Sequence, residues 1–307
     1  MLPAVRPTSA PSWSQQTRDR KNISDPAAIT KTCQLGSQIL GRKHIERNRT
    51  HMEPRFEAAT LAAIADQVHD HLATLPAAID SFLEDQILAS NHYRVVLDGE
   101  PAGFASVHGE GLITQFALDD RFRVHGQRVF RAARRLEQVR EALVPACDNF
   151  FLSHALDEYR TLAMQAHFFA TAPSRRTRPA PERGTLRLAL PSDRDEIRDG
   201  SGDFFGDIDR FIAQESLFLL VRDGTVAGYG LMEVSSLQDG VASIGMFTRE
   251  EFRRQGVGSA TISLLMEVCD RRGVRPIAGC WYYNHNSRRT LERAGMYPAT
   301  RLLRVGF

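Results

Sequence analysis

The segment Arg253-Arg-Gln-Gly256-Val-Gly258-Ser-Ala carries the clearest chemistry in this sequence. Its two glycines stand between an apolar, strand-like run, Ala242 to Thr248, and a stretch with helical spacing, Ser259 to Arg272. Glycine lets backbone approach a ligand closely, and the first N–H groups of a helix have no acceptor of their own, so such a turn is an anion site suited to a pyrophosphate. It is neither a G-x-G-x-x-G fingerprint nor a Walker loop, since no Gly-Lys-Ser/Thr follows. A second group with chemical potential is Glu233, set in the otherwise apolar strand Ala227 to Val234. A carboxylate there either faces solvent or points into a cleft, where its pKa rises and it can accept a proton. Asp199, Asp203, Asp207 and Asp209 alternate with Phe204 and Phe205, a pattern that suits either a solvated loop or a site for a cation with an apolar portion.

These groups need elements to hold them. The second half of the chain reads as a strand (Thr185 to Leu190), a helix opened by Ser192 with Asp195 as its capping partner, and a short helix near Asp207 to Gln214. Three strands and the glycine turn follow, then the long helix stopped by Gly273. A strand (Arg275 to Tyr282), a helix (Asn286 to Ala294) stopped by Gly295, and a strand (Ala299 to Phe307) complete it. The first half repeats this order. Tyr93 to Phe104 reads against Leu219 to Tyr229, with Asp98-Gly99 and Asp223-Gly224 each between two apolar runs, the signature of a hairpin. Phe122-Arg-Val-His-Gly126-Gln-Arg128 parallels Phe252-Arg-Arg-Gln-Gly256-Val-Gly258, followed by a helix expected over Val129 to Arg140. Beyond that helix the register of the two copies is lost. The architecture expected is mixed α/β around an open sheet, in two domains at residues 53–171 and 184–307, joined by a Pro- and Arg-rich linker at 172–183.

At this point the chain resembles the GNAT superfamily of N-acyltransferases. Arg253-x-x-Gly256-x-Gly258 is similar to that family's acetyl-CoA motif, and Asn284-His-Asn-Ser287 through Leu291 to Gly295-Met resembles its second block. The resemblance covers residues 184–307 well and 85–140 more weakly. It implies two tandem GNAT-like domains, the C-terminal one complete and the N-terminal one degenerate, because Arg128 stands where the second glycine belongs. It implies acetyl-CoA as co-substrate, no metal, and transfer of the acetyl group to a primary amine by direct attack. The cofactor would be held by Arg253, Arg254, Gln255, Gly256, Val257, Gly258 and Ser259, by the strand edge at Met246, Phe247 and Thr248, and by Asn284 and Ser287. Asn284 as a simple helix-entry residue is the alternative.

For catalysis, the family's tyrosine acid falls at Leu291, which excludes a tyrosine there. Tyr283 and Ser287 are the substitutes nearby, with Tyr282 a third, and Glu233 or His285 is the candidate base. Phe204, Phe205 and Asp207 lie on the family's substrate-facing segment. The rival reading is a non-catalytic CoA-binding or protein-interaction module on the same scaffold.

Composition sets the outer limits. Residues 1–51 hold nine Lys/Arg against three Asp/Glu and include every lysine of the chain, while the remainder is net acidic. The tail reads as disordered, with Met52 as an alternative start, and the acidic remainder argues against a nucleic-acid partner. Cys33, Cys147, Cys269 and Cys280 are too scattered for a zinc site, so free thiols and a cytoplasmic location are expected. No apolar run is long enough to span a bilayer, and an exposed sheet edge leaves room for a homodimer.

Overall fold

The computed structural model describes residues 53–109, 111–173 and 184–307. The basic tail with Met52 and Cys33, and residues 174–183 of the expected linker, lie outside the described residues. In chain order the first half contains β1 (Arg55–Ala59), α1 (Ala65–Thr74), α2 (Ser81–Leu88), β2 (Ser90–Leu97), β3 (Glu100–His108) and β4 (Leu112–Leu118). It continues with α3 (Gly126–Ala133), β5 (Glu141–Pro145), α4 (Asn149–Leu156) and β6 (Thr161–Thr171). The second half contains β7 (Thr185–Leu188), α5 (Arg194–Ser201), α6 (Ile208–Ala213), β8 (Leu217–Arg222), β9 (Thr225–Val234) and β10 (Val241–Thr248). It ends with α7 (Val257–Arg272), β11 (Arg275–Trp281), α8 (His285–Arg293) and β12 (Met296–Gly306). The same order of elements occurs twice, and it continues past α3 and α7, where the sequences no longer align.

Local chemistry explains most of these boundaries. Both hairpins turn on their Asp-Gly pairs, with φ of 53° and 83° at Asp98-Gly99 and 49° and 75° at Asp223-Gly224, the double left-handed turn that a two-residue hairpin needs. Gly273 ends α7 in the left-handed conformation at φ 68°. Three expectations are corrected. The N-terminal helix opens at Gly126 and stops at Ala133 instead of running from Val129 to Arg140, because Glu137 and Gln138 adopt positive φ and the Glu137 carboxylate accepts from Asn91 and from the Tyr93 hydroxyl. Ser192 and Asp195 do not cap α5; Asp193 accepts from the Leu190 N–H at 2.7 Å and binds Arg187 through both oxygens. The last strand begins at Met296, before the expected Ala299, and absorbs a register shift between Pro298 and Thr300.

Among the described residues the strands join one twelve-stranded sheet in the order β1-β2-β3-β4-β5-β12-β6-β11-β10-β9-β8-β7. The final strands of the halves are therefore exchanged: β6 of the first half lies between β11 and β12, and β12 of the second half pairs with β5. In the second half Ala242, Ile244, Ala278 and Cys280 pack with α7 and α8 on one face, while Leu217, Leu219 and Tyr229 pack with α5 and α6 on the other. The exchange has a measurable consequence. If a protease site is placed within residues 174–183 and cut, the two fragments are expected to co-elute in native gel filtration and to part only in denaturant. Separation under native conditions would contradict the exchanged strands.

Candidate active site

The strands β10 and β11 run parallel for only three residue pairs, Val241 to Ser243 against Arg275 to Ile277, and then diverge. On its other side β10 stays paired with β9 through Thr248, so from Ile244 to Thr248 the edge facing β11 has no strand partner. The glycine turn lies at the end of this open edge. Gly256 has φ 80°, and a Cβ placed on it meets nothing within 4 Å. No side chain caps α7 there, and its first backbone bond runs from Ala260 N–H to the Gly256 carbonyl at 3.0 Å, so the preceding N–H groups are left for a ligand. Gly258 serves a different purpose: its Cα faces Thr290 of α8, which a Cβ would meet at 3.0 Å. The first glycine supplies the turn, and the second lets α8 lie against it.

Strand edge, turn and α8 enclose a cleft of about 1130 Å³. Met246, Phe247, Thr248, Arg253, Arg254, Gln255, Gly256, Val257, Gly258, Ser259, Asn284 and Ser287 all line it, together with Phe204. Asn284 is the N-cap of α8, its Oδ1 accepting the Ser287 N–H at 3.0 Å, so one residue both enters the helix and lines the cleft.

The opposite face of the splayed strands carries the acidic groups. Glu233 and Ser243 are register partners on β9 and β10, and next along β10 is Gly245, whose missing side chain faces open space. Helix α2 of the first half docks here. The Ser81 N–H donates to Ser243 Oγ at 3.2 Å, and Glu84 is held by the hydroxyls of Ser235 and Ser236 and the Ser236 N–H. Asp80, 5% exposed, lies on Gly279 of β11, where any Cβ would fall on its carboxylate. Burial raises the Glu233 pKa, with Asp85 adding to the rise, while a hydrogen bond from Ser81 and the Arg210 charge oppose it. Burial pushes the Asp80 carboxyl up to about 7. Glu233 is not among the cleft-lining residues; it sits on the face opposite α7, beside Ser243, at the point where β10 and β11 begin to diverge.

Comparison with known proteins matches residues 60–172 to an acetyltransferase (GNAT) domain and residues 186–296 to the acetyltransferase (GNAT) family. The chain belongs to the GNAT acetyltransferases, with two such domains in tandem. Its fold is similar to a GNAT-family acetyltransferase from Colwellia psychrerythraea, with a TM-score of 0.72 at 16% identity over 82% of this chain and 99% of that one. It is also similar to a tandem GNAT protein from the clavulanic acid biosynthesis pathway, at 0.58, 14%, 82% and 98%. A GCN5-related N-acetyltransferase from Sphaerobacter thermophilus gives 0.57, 19%, 82% and 95%. No curated protein matches the chain in sequence.

Several side chains of this tandem GNAT protein have places that sequence did not foretell. Phe204 is 59% exposed and its ring lies 4.9 Å from that of Phe247 in the cleft, but Phe205 is buried in the core with Tyr229. Asp207 does not line the cleft; its Oδ1 caps α6 by accepting the Arg210 N–H at 3.1 Å, and Asp209 pairs with Arg194. Tyr283 is 54% exposed against Trp281 and Tyr282 and is not among the cleft-lining residues. Ser287 is in the cleft, hydrogen-bonded to the buried Cys280 thiol, whose pKa burial pushes up to about 11. Leu291, at the position of the family's tyrosine, is a core residue packed with the α7 and β11 side chains. Asp80, Asp85 and Glu84 were not legible as site residues, since they lie some 150 positions from Glu233; the one local signal was an acidic, capped helix start at Asp80.

Beside the corresponding glycine of the N-terminal GNAT half, side chains fill the space. Gly126 has φ −50°, an ordinary helical value, and a Cβ on it would strike the His154 and Phe150 rings. Phe150 stacks on Phe116 of β4 at 5.6 Å, so aromatic side chains occupy the place that stays open beside Gly256. Among the described residues there is no cluster of metal-ligating side chains and no helix long and apolar enough to cross a membrane.

Proposed function

We propose that the protein is an acyl-CoA-dependent N-acyltransferase, moving an acetyl group from acetyl-CoA to a primary amine in a ternary complex at its C-terminal half. The observation that carries this reading is the uncapped start of α7 behind a left-handed Gly256, continuous with the unpaired edge of β10 in a cleft large enough for a nucleotide thioester. The turn offers N–H groups to a pyrophosphate, and the strand edge offers N–H and C=O groups to an amide-bearing chain. Acetyl-CoA, when bound, supplies an activated acyl group. The acceptor ammonium first loses one proton to water; its nitrogen then bonds to the acyl carbon and Glu233 takes the second proton, while the C–S bond breaks and the sulfur leaves with the first proton, delivered through water. Leu291 offers no acid, and Ser287 is the cleft hydroxyl nearest that role. The acidic wall of Glu233, Asp85 and Asp80 suits an acceptor that arrives as an ammonium ion.

Glu233→Gln keeps the shape and removes the base. Its kcat is expected to fall on the order of 100-fold while the acetyl-CoA dissociation constant stays unchanged. The rise of kcat/KM with pH, set by a carboxylate held above its ordinary range, should be absent from the variant. The measurement is release of free CoA thiol across a panel of primary amines. A variant with full kcat removes Glu233 from the mechanism. Binding of acetyl-CoA without turnover of any amine favours the interaction-module reading, which the buried Leu291 supports.

A further inference from the structure

The same cleft holds more positive charge than one pyrophosphate at a helix start requires. Arg289 and Arg293 stand one turn apart on α8 and both line the cleft, as does Arg254 at the glycine turn. Among the described residues none of the three makes a salt bridge or a side-chain hydrogen bond. Their neighbours are matched: Arg288 binds Glu292 at 2.9 Å, Arg253 lies 3.8 Å from Glu250, and Arg249 binds Glu196 and Glu251. The two carboxylates of the cleft, Glu250 and Glu251, therefore already face Arg253 and Arg249. Like charges at this helical spacing repel, so α8 carries an unfavourable pair on the wall of an open cleft. Thr290, between them in sequence, packs on Gly258 and holds that wall beside the turn. A guanidinium presents a planar fork that matches phosphate oxygens, and a pair of them makes a doubly charged phosphate the fitting guest.

We propose that Arg289 and Arg293, with Arg254, form a second phosphate site in this cleft, and that it takes the 3′-phosphate on the adenosine of the acyl donor. The protein then selects a 3′-phosphorylated CoA thioester over a donor lacking that group. The inference rests on the reading of the cleft as the acyl-CoA site.

The test is calorimetric titration of the full chain with CoA and with 3′-dephospho-CoA, using wild type, the double variant Arg289→Ala/Arg293→Ala, and Arg271→Ala/Arg275→Ala as an equal loss of charge outside the cleft. Circular dichroism establishes that each variant is folded. Wild type and the charge control are expected to bind CoA at least about tenfold more tightly than dephospho-CoA, as two charge-assisted contacts imply. In the α8 variant the two ligands should bind alike, at the affinity of wild type for dephospho-CoA. Equal affinities in wild type, or discrimination that survives in the α8 variant, overturn the proposal and leave the donor reading standing. Absence of binding by either ligand to wild type overturns the donor reading and the proposal with it.

Discussion

Gly256→Glu is expected to weaken acetyl-CoA binding by at least about 100-fold, as measured by calorimetry, because its side chain obstructs the N–H groups that would meet the pyrophosphate and sets a carboxylate against the same anion. The substitution has room, since a Cβ at Gly256 meets no atom within 4 Å, so the loss arises at the ligand and not from a collapsed core. The left-handed backbone at φ 80° costs a side chain about 1–2 kcal/mol, a strain that Gly256→Ala shares without the charge. Alanine is therefore expected to bind with intermediate affinity and glutamate scarcely at all. Glutamate binding as well as alanine would show that no phosphate meets this turn. The corresponding change at Gly126 is a different experiment: there a side chain strikes His154 and Phe150, and the expected result is lost stability.

Asp80→Asn is expected to make the protein more stable at pH 8 and to leave it nearly unchanged at pH 4. Burial pushes the Asp80 carboxyl up to about 7 against the opposing hydrogen bond from the Leu83 N–H, whereas an unfolded aspartate titrates near 3.9. The folded chain thus binds a proton that the unfolded chain has released across that window. The contribution to stability is complete below about pH 4 and is lost as the pH rises through 7, with an upper limit of about 4 kcal/mol. Asparagine retains an oxygen for the Leu83 N–H, which Asp80 accepts at 3.0 Å, and carries no charge to desolvate. Urea midpoints of wild type and variant at both pH values check this. A variant less stable than wild type at pH 8 would mean that a cation pairs with Asp80 in the folded state.

The parts of this protein that are written locally could be read from residues in order. Asp98-Gly99 and Asp223-Gly224 specify hairpins because only certain residues accept positive φ at both turn positions. The Gly256 turn, the α7 helix and its Gly273 stop follow from backbone freedom and 3.6-residue spacing within a short window. The cleft-lining residues Met246 to Thr248, Arg253 to Ser259, Asn284 and Ser287 come together for the same reason, being contributed by one strand end, one turn and one helix start.

Tertiary structure decided what depends on which distant segments meet. The exchange of β6 and β12 leaves no mark in sequence, because a buried strand segment such as Ala166-His-Phe-Phe169 reads the same whichever sheet neighbour it takes. Phe205 and Phe204 are identical in type and adjacent, yet one is core and the other lines the cleft, a choice made by the packing of Tyr229 and Phe247 around them. Asp207 has the composition of a ligand-binding carboxylate and the geometry of a helix cap. The acidic wall opposite α7 belongs to both halves at once. Asp85 and Glu84 act on Glu233 only because α2 docks on β10 and on the turn after β9, through hydrogen bonds to Ser243, Ser235 and Ser236 that span more than 150 positions of chain.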